Sequence, residues 1–201
     1  MAAIRQNDWD QVRAYLILKI MTPFNLTPEQ QRRVEAEGVT AGLIRASARG
    51  DLKTVARLLK AGGNPNVATR VDDYATPLAW AAKCEHPAVV RLLIAGGADV
   101  NERLYDVQHG AIEEGGTALI WASESGAWES VAVLLSHHAK VGLRARDVPG
   151  VDPSHGGFTA LEAAHGRKIM RMLLKAGADP RDLRRNPWSK HYRRHKDMGL
   201  L

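Results

Sequence analysis

Apolar positions along this chain fall into short runs that come in pairs, and the pairs recur. Val55, Leu58 and Leu59 lie at three- and four-residue intervals and make one apolar stripe on a helix. Similar stripes return at Val90-Arg91-Leu92-Leu93, at Val131 to Leu135 and at Met172-Leu173-Leu174. Each is preceded by a shorter run rich in small residues: Ala41–Ser47, Thr76–Ala82, Thr117–Ser123 and Thr159–Ala164. Ala41 to Leu58, Thr76 to Leu93 and Thr117 to Leu134 each span 17 positions, whereas Thr159 to Leu173 spans only 14. Three equal intervals with matching residue types at both ends define a repeat, and the fourth unit is clipped between its two helices.

Local chemistry gives each unit the form of a helix pair. Thr76 can cap a first helix, and Pro77 stands at the first helical position, where a missing N–H costs nothing. Ala81-Ala82 allow close approach of neighbouring helices. Gly50 and Gly126 suit the turn between the two helices, and Gly62-Gly63 end the second one. A single pair cannot bury its stripe, so the units must stack into a solenoid.

These segments resemble the ankyrin repeat. Thr76-Pro77-Leu78, Ala81-Ala82, Val90 to Leu93 and Gly97-Ala98-Asp99-Val100-Asn101 carry the likeness in the second unit, and the other units follow over residues 40–180. The resemblance implies an all-α helix-turn-helix solenoid that works as an interaction module. Departures from the family pattern are specific. Its motif histidine is replaced by Ile44, Ala79, Ile120 and Glu162. Glu85 stands where an inter-helix glycine belongs, and the third unit ends Ala139-Lys140-Val141-Gly142, without Asp or Asn.

Residues 1–39 read as an atypical helical cap. Trp9, Val12, Leu16 and Ile20 fall on one face, and Thr27-Pro28-Glu29-Gln30 begins a helix expected to end at Gly38. Charge separates the other end. The net charge is +6, yet residues 181–201 hold seven Lys or Arg against Asp182 and Asp197, which leaves the first 180 residues at +1. That basic tail is either a capping helix, covering the last repeat with Leu183, Trp188 and Tyr192, or an arm offering Arg184, Arg185, Arg193 and Arg194 to nucleic acid.

Function is expected where the repeat is interrupted. From the Leu-Leu pair to the next unit takes 18 positions at Leu58–Thr76, but 24 at Leu93–Thr117 and 25 at Leu134–Thr159. A repeat of about 33 residues leaves about 16 for this connection, so two adjacent hairpins are extended. Long ordered loops in compact domains are usually functional. The expected partner-binding set is Arg49, Lys83, Glu124 and Ser125 at the ends of first helices, with Tyr74, Arg103, Tyr105, His109, Arg144, His155 and Phe158 from the hairpins. Trp80 and Trp121 occupy one repeat position and should lie one above the other, partly buried.

Other chemistries find little support. His109 and His155 could meet if the hairpins pair, but no metal site is assigned, and Cys84 has no partner to activate its thiol. Phosphate-binding glycine loops and a nucleophile elbow are both missing, so no enzyme and no cofactor is expected. One cysteine makes no internal disulfide, no apolar run reaches the roughly 18 residues of a membrane span, and a cytoplasmic address follows. The expectation is a non-catalytic adaptor or inhibitor, a monomer when free, that grips a partner protein with its concave face and hairpins. Its sharpest form is an immunity-type protein neutralising a toxin, and its rival is a nucleic-acid-associated protein using the basic tail.

Overall fold

The computed structural model describes residues 28–67, 75–108, 111–114, 116–145 and 157–184, together with Lys196 and Gly199. The chain divides into two compact units, Met1–Val39 and Thr40–Leu201. The N-terminal stripe Trp9 to Ile20 and the Thr27 cap lie outside the described residues. Helix α1 runs Pro28–Arg49, so Gly38 does not end it as the sequence suggested. An interior glycine costs about 1 kcal/mol relative to alanine, which is too little to stop a helix continued by Glu35-Ala36-Glu37 before it and Ala41 to Ala46 after it. Gly38 also lacks the positive φ of a glycine that closes a helix.

The second unit is a stack of helix pairs. α2 is Leu52–Lys60, α3 Pro77–Lys83 and α4 Pro87–Ala95. α5 is Ala118–Ser125, α6 Trp128–Ser136, α7 Ala160–Ala163 and α8 Arg167–Lys175. First helices pack in sequence, α3 on α5 and α5 on α7, forming an inner layer; α2, α4, α6 and α8 form the outer one. Small side chains allow the inner contacts: Ala79, Ala81, Ala82, Ala118, Ala122, Ala160 and Ala163 are all buried. From the outer layer Val55, Val90, Leu93, Val131, Leu134, Ile169 and Leu173 complete one continuous core.

Helix starts follow the local sequence. Thr76 Oγ1 accepts from the Ala79 N–H at 3.3 Å, and Thr117 Oγ1 from the Ile120 N–H at 3.4 Å. In the clipped unit Thr159 and Glu162 form a reciprocal capping box. Glu162 therefore takes up the motif-histidine position with a hydrogen bond of its own.

Turns between paired helices demand a left-handed residue. Gly50 has φ +74° and Gly126 +85°, and Glu85 is held at +58° in the same place. Between repeats an asparagine ladder ties the loops. Asn66 Nδ2 donates to the Gly97 carbonyl at 2.9 Å, and its Oδ1 accepts from the Asp99 N–H at 2.7 Å. Asn101 Oδ1 repeats the second bond with the Lys140 N–H at 2.8 Å. Gly142 occupies the next rung and has no side chain to extend it.

The two long connections add strands to the helices of the described residues. β1 (Tyr105–Gln108) and β2 (Ala111–Glu114) pair antiparallel, Tyr105 opposite Glu114 and Gln108 opposite Ala111. β3 (Arg144–Ala145) and β4 (Phe158–Thr159) pair at the base of the second connection. A 3-10 helix, Pro180–Arg184, follows α8 and packs on α7.

Glu85 is an exposed L-residue in a conformation that costs about 1 kcal/mol or more. Glu85→Gly is expected to raise stability by about 0.5–1 kcal/mol in urea unfolding. Gly50→Ala should lose more than about 1 kcal/mol, because its φ is positive and the new Cβ would sit 2.7 Å from His86 Nδ1.

Candidate functional site

Inner-helix ends present half of the described partner-binding candidates. Arg49 closes α1, Lys83 closes α3, and Glu124 and Ser125 close α5; Arg49, Lys83 and Ser125 are exposed and Glu124 is half-buried. Ser125 Oγ donates to the Trp121 carbonyl at 2.9 Å. Trp80 and Trp121, one repeat apart, meet edge to face with ring centroids 5.7 Å apart and planes at 89°. Both rings are half-buried. Lys83 Nζ stands 5.0 Å from the Trp80 centroid and 4.6 Å from that of Trp121. A cation so placed on two ring quadrupoles gains about 0.5–1 kcal/mol per ring at an exposed site, and its long side chain is thereby held in place.

The first hairpin reaches this cluster. Leu104 N–H donates to the Gly116 carbonyl at 3.0 Å and closes the hairpin base. A Cβ on Gly116 would lie 3.3 Å from Trp121 Cδ1, so the returning strand enters α5 directly against that ring. Arg103 is half-buried beside this base, and Tyr105 begins β1. Tyr74, His109 and His155 lie outside the described residues, as do Arg185, Arg193 and Arg194; the backbone of Arg184 ends the 3-10 helix. Leu183 packs against the core. Among the described residues no group of three His, Cys, Asp or Glu side chains is placed to hold a metal ion.

Arg144 and Phe158, expected on the second hairpin's surface, turn towards the body. Phe158 packs against the core. Arg144 Nη1 donates to the Gly157 carbonyl at 2.8 Å and to Glu162 Oε2 at 3.3 Å, while Nη2 pairs with Asp182 Oδ1. One guanidinium thus ties β3, β4, α7 and the 3-10 helix. Sequence spacing misses this clasp because its two acids are 18 and 38 positions away from Arg144. Glu162 Oε2 also accepts from the Thr159 N–H at 2.7 Å. Burial raises the Glu162 carboxyl above its ordinary range, and Asp182 adds to the rise, against the opposing pull of the Thr159 N–H and Arg144.

This cluster sets a pH signature. A carboxyl with a raised folded-state pKa binds protons more tightly in the fold, so stability falls as pH rises from the ordinary carboxyl value, about 4.3, through the raised one. Glu162→Gln keeps an acceptor for both donors and removes the titration. Its stability should improve relative to the parent across that window and then stay level to pH 7. Arg144→Ala is expected to lose about 2 kcal/mol in urea unfolding, less than a fully buried pair would, since 22% of its side chain is exposed.

The sequence matches the family profile for ankyrin repeats (3 copies) over residues 1–104 and 43–145. No curated protein matches it. The second, overlapping match takes in α2 to α6 with their Thr caps, inter-helix turns and asparagine ladder, while the α7–α8 pair continues the same stack beyond the matched residues. No helix among the described residues is long and apolar enough to cross a membrane. With the profile matching residues 1–145 and the helix pairs packed in series, the chain belongs to the ankyrin repeat family.

Proposed function

We propose that this protein is a non-catalytic binder of one partner protein, acting as an adaptor or inhibitor through its inner-helix ends and long hairpins. The observation that carries the reading is the Trp80–Lys83–Trp121 cluster with the first hairpin rooted on it. Trp, Tyr and Arg are the usual anchors of protein interfaces, and here two Trp rings are offered together with a cation they hold in place. Here they are held by the stack, so little ordering cost falls on association. Arg49, Arg103, Glu124 and Ser125 make the polar rim of the proposed contact, with Tyr74, Tyr105, His109 and His155 extending it along the hairpins. Arg144 and Phe158 serve that surface by fixing the base of the second hairpin. The sharpest form is an immunity-type inhibitor whose hairpins cover the active site of a toxin.

The test is affinity capture by the full chain at about 0.3 M salt with nuclease present, a salt level that suppresses phosphate-driven binding. One protein should be retained in stoichiometric amount. Shortening residues 103–114 should abolish its capture, and Lys83→Glu should weaken the purified complex at least about tenfold, as loss of an interface anchor does. Capture unchanged by both alterations would sink this reading. If the captured protein is an enzyme or toxin, its activity should return when the shortened variant replaces the parent.

A further inference from the structure

The outer layer carries a feature that partner binding on the inner layer leaves unused. Helix α8 bears Arg167, Lys168, Arg171 and Lys175, all exposed, and no acidic residue. Its apolar side chains Ile169, Met170 and Leu173 are buried in the core, which fixes the helix about its axis and holds the four cations towards solvent. Arg181, exposed in the 3-10 helix, extends the series. The one acid between them, Asp179, accepts from the Arg181 backbone N–H at 2.9 Å. Among the described residues these five cations form no ion pair. Lys168 instead lies over the ring of Trp128. The outer helices α4 and α6 differ sharply, with Arg91 the only charged residue of α4 and Glu129 the only one of α6, while α2 at the far end bears Lys53, Arg57 and Lys60 beside its Asp51 cap.

We propose that this face of the last repeat binds the phosphate backbone of nucleic acid without reading its sequence. Residues 167–175 extend over about 12 Å of helix, a length in which duplex DNA presents about seven phosphate charges. Two arginines among the four α8 cations suit phosphate, which a guanidinium fork engages through paired hydrogen bonds. A lipid surface fits less well, because an interfacial helix inserts a continuous apolar face, and α8 buries Ile169, Met170 and Leu173 and leaves Leu174 exposed. The surface belongs to the folded stack rather than to the tail beyond Arg184, and it stands whether or not the inner layer binds a protein.

The experiment is fluorescence anisotropy of the full chain with a labelled mixed-sequence DNA duplex of about 20 base pairs, across a salt series starting near 50 mM. Arg171→Gln/Lys175→Gln should weaken binding about tenfold to a hundredfold at the lowest salt. It should also lower the slope of log K against log salt by about 1.8, the share of two phosphate contacts. Lys53→Gln/Arg57→Gln removes the same charge from α2 at the far end of the outer layer and should change affinity less than about twofold. No duplex binding by the parent, equal losses in both variants, or an α8 variant that binds like the parent would each overturn the proposal. So would binding to phosphatidylserine vesicles as tight as that to the duplex.

Discussion

A helix pair with one apolar stripe cannot cover that stripe by itself, and every other feature of this chain answers to that constraint. Leu78, Leu93, Leu134 and Leu161 are all within 1% of complete burial because a neighbouring repeat closes over them. Closure requires narrow inner helices, so volume outranks polarity at the contact. Ser47, Ala82 and Ser123 stand at one repeat position, and all are 0% exposed. The two serine hydroxyls have no hydrogen-bond partner among the described residues. Burying a hydroxyl unpaired costs about 1–3 kcal/mol, and a side chain larger than serine would cost more by forcing the layers apart. Stacking also fixes where a surface can exist at all, namely at the helix ends, the connections and the outer faces.

Each long connection is anchored differently, and the anchors explain why two insertions of similar length have unlike bases. The first closes through the Leu104–Gly116 bond and lands on Ile120 and Trp121. The second leaves the stack just after the asparagine ladder has run out at Gly142, which has no side chain to reach the following loop, although Lys140 is still tied back to Asn101. Arg144 supplies a substitute tie in the forward direction, to α7 and the 3-10 helix. A charge-assisted clasp of this kind is specific in geometry but expensive in desolvation, and the raised Glu162 carboxyl records that expense.

What the sequence disclosed and what it hid divide along the same line. Thr76, Thr117 and Thr159 act within three residues of themselves, and Gly50 and Gly126 within their own turns, so spacing was enough to place them. Glu85 could be placed in a left-handed turn because the repeat register demanded that conformation whatever residue occupied it. Gly38 misled, since a helix stop depends on the strength of the helix on both sides and not on the glycine alone. Arg144 was assigned to the solvent because both of its carboxylate partners are remote in sequence. Lys83 was half legible: it follows Trp80 by three positions on one helix, but its second ring, Trp121, comes from the next repeat.

Charge shows how a sum can conceal an arrangement. The first 180 residues are nearly neutral, at +1, a sum that by itself points to no basic face on the fold. Neutrality there comes from sorting along the stack rather than from mixing. The stretch from Glu102 to Glu124 holds Glu102, Asp106, Glu113, Glu114 and Glu124 against Arg103 alone, whereas α8 holds four cations and no acid. Charges interact weakly beyond about 10 Å at ordinary salt, so the exposed α8 cations act as a local field of their own and not as part of one cancelled whole. The proposed phosphate contact would draw polyanions to the last repeat and away from the acid-rich first connection. The two proposed surfaces therefore do not compete for one ligand, since the field that would recruit nucleic acid to the outer layer is opposed in sign at the hairpin on which partner binding depends.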